Sequence, residues 1–334
     1  MAVGENHESA QSGGDAAVTR PRNNPQVTRL APSPTGALHL GNARTFLVNW
    51  ALARSKGWRV AMRVEDLDTP RVKPGVIGRT LETLAWLGLD WDGDAVIQSD
   101  HADAHAAAME SLARAGRVYP CELTRSEIEA AASAPHEGER EQRFPPELRP
   151  AGLGPRAFDD PSTNWRFLVD PGAVSFEDRF AGPQRVDPGA GVGDFVVWTK
   201  RGSAAYQLAV VVDDAAAGVT QIVRGDDLID SAGRQLLLYR ALGLAPEPAC
   251  WHLPLVRGVD GRRLAKRHGD TRIDTYRAQG VEASRIIGLC ASWCGITAER
   301  SPMDLAEFQS RLDLNRMPRT DVVFGREDDA WLTG

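Results

Sequence analysis

The sequence predicts an α/β fold: a doubly wound parallel sheet, interrupted by a small inserted α+β module and finished by a C-terminal helical segment. Three observations carry this. Apolar stretches of strand length alternate with helical periods up to residue 115, two further apolar runs end in acidic clusters, and a proline- and glycine-rich stretch separates the two groups. A chain of 334 residues with 42% hydrophobic content can bury a sizeable core and hold roughly two or three connected modules.

Residues 1–26 are polar and are expected to form a mobile tail without the apolar core of a secretion signal. No run is long enough to cross a bilayer, which predicts a cytoplasmic protein. Cys121, Cys250, Cys290 and Cys294 suggest no disulfide framework, in keeping with a reducing compartment. A formal charge of −6 excludes a protein that coats nucleic acid indiscriminately. A local basic surface can still bind a folded RNA.

Residues 27–31 read as a short buried strand and residues 42–55 as a helix. The turn between them suits a phosphate-bearing ligand. Pro32 and Pro34 fix the exit from the strand, Gly36 and Gly41 let a ligand approach bare main chain, and His39 would point at it. The helix start adds N–H groups and a positive dipole end. A hydrogen-bonded structural histidine is the competing account of His39.

Residues 58–64 form the next predicted strand, ending in Glu65-Asp66-Leu67-Asp68. In parallel sheets that end lines the ligand crevice, although a solvated acidic turn would look the same. Helical periods over 76–89 and 101–115 complete a β-α-β-α-α start. Residues 135–161 support no long regular element, and strands at 165–169, 174–180 and 195–198 place a small module across 119–200. The apolar runs 206–212 and 219–223, closed by Asp213-Asp214 and by Arg224-Gly225-Asp226-Asp227, suit central parallel strands. Ser231 is placed to cap a helix reaching Leu242. A strand over 251–256, a tight turn over 259–262 and a basic loop holding Lys266, one of only four lysines, precede C-terminal helices. The resulting plan is a tail (1–26), a catalytic domain in two halves (27–118 and 201–250), the insertion (119–200), and the lysine loop with its helices (251–334).

In this order the segments resemble the catalytic half of glutamyl-tRNA synthetases, class I aminoacyl-tRNA synthetases with a Rossmann-type nucleotide-binding domain. Residues 32–42 match that family's His-Ile-Gly-His signature with Asn42 as its last member, and Arg263-Leu264-Ala265-Lys266-Arg267 is a degenerate form of its Lys-Met-Ser-Lys-Ser loop. Residues 63–70, 206–214 and 218–227 also look like family segments. The likeness runs over about 27–295, whereas full-length members continue into a large anticodon-gripping module. A shortened branch of the family attaches glutamate to the queuosine base in the anticodon of tRNA(Asp), and the length of this chain selects that branch.

The resemblance implies ATP-dependent activation of L-glutamate to glutamyl-adenylate without tRNA, with Mg2+ accompanying ATP, followed by transfer to the queuosine of the tRNA(Asp) anticodon loop. His39 and Lys266 would be catalytic, and with Gly41 and Asn42 they would bind ATP. Arg29 and Arg224 would hold the side-chain carboxylate of glutamate, Ser33 and the backbone of Leu30, Ala31 and Pro32 would line its pocket, Glu65 would take the α-ammonium group, and Tyr206 would wall it. Arg224 paired with Asp226 or Asp227, and Tyr206 in the core, are the structural alternatives. A monomer is expected. The competing functions are a glutamyl-tRNA synthetase charging tRNA(Glu) and an inactive paralogue acting as a binding module.

No zinc is expected, because Cys121-Glu122-Leu123 lacks the second cysteine of the family's metal pair. Cys290 and Cys294 read as core, and His101 and His105 as a solvated helix face.

Overall fold

In the computed structural model the described residues are 1, 25–34, 38–68, 72, 74–124, 126–128, 143–262, 264 and 271–334. Most of the expected tail and Lys266 lie outside them. The chain opens with β1 (Val27–Leu30), α1 (Leu40–Ser55), β2 (Arg59–Val64), α2 (Val76–Trp86), β3 (Ala95–Ile97) and α3 (Ala102–Arg114). The start is thus β-α-β-α-β-α; β3 is only three residues long and half-buried, too short to declare a period.

Strands β1, β2 and β3 pair in parallel. The second half of the sheet is β10 (Gln221–Gly225) and β11 (Ala249–Leu253), also parallel. The Thr220 N–H donates to the Val27 carbonyl at 2.9 Å, and the Val27 N–H to Thr220 Oγ1 at 3.0 Å. These bonds join β1 to the start of β10, giving the spatial order β3-β2-β1-β10-β11 and a reversal of direction between β1 and β10. That reversal is where doubly wound sheets open a ligand crevice.

The strands predicted for the insertion divide between two sheets. β4 (Val118–Cys121), β5 (Asn164–Phe167), β8 (Phe195–Thr199) and β9 (Ser203–Ala204) form an antiparallel sheet. The hairpin of β6 (Val174–Asp178) and β7 (Gly182–Val186) instead extends the parallel sheet, with Cys250 of β11 opposite Asp178 of β6.

One predicted strand is a helix. The apolar run at 206–212 belongs to α4 (Tyr206–Ala216), which Gly218 stops in the left-handed region at φ +68°. Gln207, Leu208, Ala209, Val210, Val211, Asp213 and Asp214 are all buried, so the helix shows no polar face from which a 3.6-residue period could be read. Ser231 is not a cap either. α5 (Ile229–Ala241) begins earlier, after a 3-10 turn over Asp226–Leu228, and the buried Ser231 hydroxyl accepts from Gln207 and Arg234.

The largest core packs α1 against the C-terminal helices, among them α6 (Ile273–Ala278), α7 (Ala283–Trp293) and α8 (Leu305–Arg311). Leu47, Ile286, Leu289 and Phe308 are fully buried there, each contributing about 1.5–3 kcal/mol. Cys290 and Cys294 belong to this core, where burial pushes both thiols up from their ordinary range. Packing α1 so firmly fixes its N-terminus at the crevice.

Candidate functional site

The carboxyl ends of β1, β2 and β10, together with the chain after β11, open into one cleft of about 340 Å³. Its lining includes Arg29, Ala31, Pro32, Ser33, His39, Gly41, Asn42, Glu65, Tyr206 and Arg224. Segments spread over 200 positions of sequence thus meet as the motif order predicts. Leu30, expected there through its backbone, is not part of that lining. Its side chain is wholly buried in the core on the far side of the strand, because successive residues of a strand face opposite ways.

His39 is the N-cap of α1. Its Nδ1 accepts from the Asn42 N–H at 3.4 Å, and the Asn42 side-chain oxygen accepts from the His39 N–H at 3.2 Å. Nδ1 being an acceptor, the neutral ring carries its proton on Nε2. This histidine thus caps the helix and also lines the cleft. A Cβ on Gly41 would sit 3.2 Å from the His39 ring, tighter than ordinary contact, which explains the glycine. The Leu40 and Asn42 N–H groups are already engaged by Thr271 and His39, so less of the helix start is open to a phosphate than the sequence suggests.

The same turn is stitched to the far end of the lysine loop. His39 and Arg272 form an isolated antiparallel bridge, with Leu40 N–H donating to Thr271 O at 3.1 Å and Ile273 N–H to Leu38 O at 2.9 Å. On the near side, β12 (Val256–Arg257) and the turn closed by Gly258 N–H to Arg262 O at 2.8 Å lead into the loop, and Leu264 is buried in the main core. The residues that flank the lysine loop are thereby held beside the signature turn.

One wall is built around a buried acid. Asp214 of α4 is fully buried and accepts from Arg29 Nε at 3.3 Å and from Arg63, whose other terminal nitrogen donates to Glu65 at 2.9 Å. Burial opposes the charge of Arg63, yet Asp214 and Glu65 raise its pKa well above the ordinary guanidinium value. Arg63 and Asp214 lie inside motif segments, but sequence reasoning gave neither a role.

Tyr206 starts α4 and is 40% exposed, facing the cleft rather than the core. Desolvation by the surrounding cleft and the nearby Glu65 charge raise its pKa, so the phenol keeps its proton as a donor. Arg224 is buried, and its partners are not the neighbouring Asp226 and Asp227. Nε donates to His252 Nε2 at 3.0 Å, one terminal nitrogen to Gln235 Oε1 at 2.8 Å and the other to Leu228 O at 3.3 Å. The acidic cluster after β2 is no solvated turn: Glu65 faces the cleft, while buried Asp66 accepts from the Ser99 N–H at 2.8 Å and hydroxyl at 2.7 Å.

His101 and His105 are not on a solvated face. Both rings bond Asp213 Oδ1 at 2.9 Å, and His105 is 1% exposed. Adjacent positions on α4 point about 100° apart, so Asp213 and Asp214 fasten the helix to α3 on one side and to the sheet on the other. Among the described residues no group of three or more His, Cys, Asp or Glu side chains could hold a metal ion. No helix of the described residues is long and apolar enough to cross a membrane.

The geometry has counterparts among known proteins. The family of class I tRNA synthetases (E and Q), catalytic domain, matches residues 26–328. The chain is similar to glutamyl-Q tRNA(Asp) synthetase of Rhodopirellula baltica, 48% identical over 326 residues, with 91% of this chain and 98% of that one covered. A protein of the same name from Symbiobacterium thermophilum is 44% identical, covering 92% and 98%. Among solved structures, glutamate-tRNA synthetase from Elizabethkingia anophelis superposes with a TM-score of 0.74 at 25% identity, covering 92% of this chain and 70% of that one.

Proposed function

This chain belongs to the class I tRNA synthetases (E and Q) through its catalytic domain, and we propose that it activates L-glutamate with ATP and transfers it to the queuosine base in the anticodon of tRNA(Asp). The observation that carries the reading is the cleft itself. A histidine-capped helix start and the two ends of a lysine loop meet a pocket whose floor holds Arg29 and Arg224. The relatives that the chain covers almost end to end carry the name of this activity, which supports queuosine over the tRNA(Glu) 3′ end as acceptor.

In the first step the glutamate α-carboxylate attacks the α-phosphorus of ATP, pyrophosphate leaves and glutamyl-adenylate forms. His39 donates from Nε2 to a phosphate oxygen, and the α1 dipole with the bare backbone at Gly41, beside Asn42, holds the nucleotide close. Lys266 neutralises charge that builds on the leaving phosphates. Mg2+ enters as the counter-ion of ATP. Arg29 and Arg224 take the side-chain carboxylate, Glu65 the α-ammonium group and Tyr206 one wall, with Ser33 and the backbone from Arg29 onward closing the pocket. Glutamine would leave a buried guanidinium without its anion, which discriminates against it. In the second step a queuosine cyclopentenediol hydroxyl attacks the activated carbonyl and AMP leaves. The reading places this chemistry in the cytoplasm, on a monomer, with activation independent of RNA.

The test is glutamate-dependent exchange of pyrophosphate into ATP without RNA, followed by charging of queuosine-bearing tRNA(Asp) and of tRNA(Glu). Exchange with acylation of the first RNA alone is the expected result. Acylation of tRNA(Glu) alone would reassign the acceptor, and absence of exchange would leave a binding module.

A further inference from the structure

We propose that Asp178, His252 and Gln235 form a neutral cradle that leaves the charge of Arg224 available to the ligand, and so set the preference of the cleft for a dicarboxylic amino acid over its amide. The inference rests on the glutamate reading above and concerns residues that none of the signature segments contains.

An arginine side chain has only donors, so each of its three partners must accept. His252 Nε2, 3.0 Å from Arg224 Nε, is therefore unprotonated, and the proton of the neutral ring sits on Nδ1. That proton has one place to go: Asp178 Oδ2 lies 2.6 Å away. Asp178 and His252 are both fully buried, and the carboxylate also accepts from the backbone N–H groups of Phe180, Ala181 and His252. The acid is held by these four groups at the strand junction of β6 and β11. The imidazole ring keeps it from direct contact with the guanidinium. Asp178 thus fixes the ring's tautomer and orientation without cancelling the cation beyond it.

The second arm has the same logic. Gln235 Oε1 accepts from Arg224 at 2.8 Å, which turns its amide nitrogen toward Gln207 Oε1 at 3.0 Å, and the Gln207 nitrogen in turn donates to Ser231 at 3.1 Å. Donor and acceptor alternate without conflict along this chain of neutral groups. Leu228 O, the third acceptor, is uncharged as well. At Gln235 a carboxylate of almost the same shape and size could have stood, as Asp214 does for Arg29 and Arg63. A carboxylate in contact with Arg224 would compete with the ligand for the same cation, and the selectivity for an anionic side chain would fall.

Gln235→Glu changes one neutral acceptor into an anion at almost constant shape. His252→Gln keeps an oxygen able to reach Arg224, whereas His252→Asn keeps a donor for Asp178 and withdraws the acceptor. The full-length variants are compared with the parent chain by pyrophosphate exchange, reading kcat and KM separately for glutamate, glutamine and ATP, with a thermal melt of each.

Gln235→Glu is expected to raise the KM for glutamate by about tenfold or more and to lower the glutamate-to-glutamine ratio in kcat/KM, with the KM for ATP within about twofold. His252→Asn is expected to raise the KM for glutamate by about tenfold, and His252→Gln by no more than about threefold. Parental glutamate-to-glutamine ratios in Gln235→Glu would overturn the cradle, as would equal shifts for glutamate and ATP in the two His252 variants. Joint loss of melting temperature and of both substrates would also overturn it, by showing a role in folding alone. Exchange in the parent chain reports separately on the glutamate reading.

Discussion

The two cationic walls of the cleft are built in opposite ways. On the β1–β2 side Arg29 and Arg63 share one buried carboxylate, Asp214, and Arg63 holds Glu65 besides. On the β10 side Arg224 meets only neutral acceptors, with Asp178 kept one imidazole away. In the first wall Asp214 offsets the charge of Arg29 and Arg63 where it touches them, so removing that carboxylate is first a matter of stability, although Arg29 and Glu65 also face the cleft. In the second the charge is oriented but not cancelled, and its removal is a matter of recognition. The acceptors of a buried arginine therefore say more about its role than its burial does, since Arg29 and Arg224 are equally hidden at 5% exposure.

The sharpest way to break this contrast is Asp214→Ala. It leaves two buried guanidinium groups facing each other without their shared anion, and breaking such a pair costs about 3–5 kcal/mol. Urea unfolding should show that loss, and a change below about 1 kcal/mol would mean that the first wall is no clamp. Arg224→Gln should do the reverse. Its stability should fall by about 1.5–3 kcal/mol, less than for Asp214→Ala, as charge-assisted hydrogen bonds to neutral acceptors are lost, while kcat/KM for glutamate in exchange falls about a hundredfold or more. Equal destabilisation by the two substitutions would erase the distinction between the walls.

Acid pH separates the walls more gently. Burial first, and then the adjacent Arg224 charge, lower the pKa of His252 from 6.5, although Asp178 pulls the other way. Burial alone would raise Asp178, but the His252 ring and backbone donors hold it below 3.8. Both folded pKa values are thus lower than the unfolded ones, so the unfolded chain takes up protons first as pH falls. The histidine contribution is complete above pH 6.5 and declines below it toward the folded pKa; that of Asp178 is lost lower still, below pH 3.8. Melting temperatures at a series of pH values should fall below 6.5 in the parent chain and fall less steeply just below 6.5 in His252→Gln. Parallel slopes would show that the ring is not held neutral.

The signature turn is largely legible in the sequence, because β1, the proline-glycine turn and α1 are contiguous and each obeys a local rule; of the first wall, Arg29 and Glu65 are legible, and Arg63 and Asp214 are not. Ten of the twelve residues expected at the site line the cleft. The second wall was legible only as far as Arg224. His252 and Asp178 lie 74 positions apart, and nothing local to either marks the pairing across β11 and β6. The helix bearing Asp214 was misread as a strand for the opposite reason: packed on nearly every side, it has an apolar run with no period. The spacing of His101 and His105 is visible in the sequence and suggests a solvated face, while the acid that both rings bond arrives from another helix.

The smallest effect is expected at Tyr206, where the walls meet. Among the described residues its hydroxyl has no hydrogen-bond partner, and the ring faces the cleft at 40% exposure, so the fold does not depend on that oxygen. Removing it in Tyr206→Phe keeps the ring as a wall and withdraws one donor from the ligand, a loss of about 1 kcal/mol or a few-fold in the KM for glutamate. The melting temperature should stay within a degree or so, as for surface changes away from packed or paired groups. A few-fold rise in KM without a shift in melting would mark the phenol as part of the recognition surface. A lower melting temperature at unchanged KM would return Tyr206 to the scaffold and move the boundary between the walls toward the ligand.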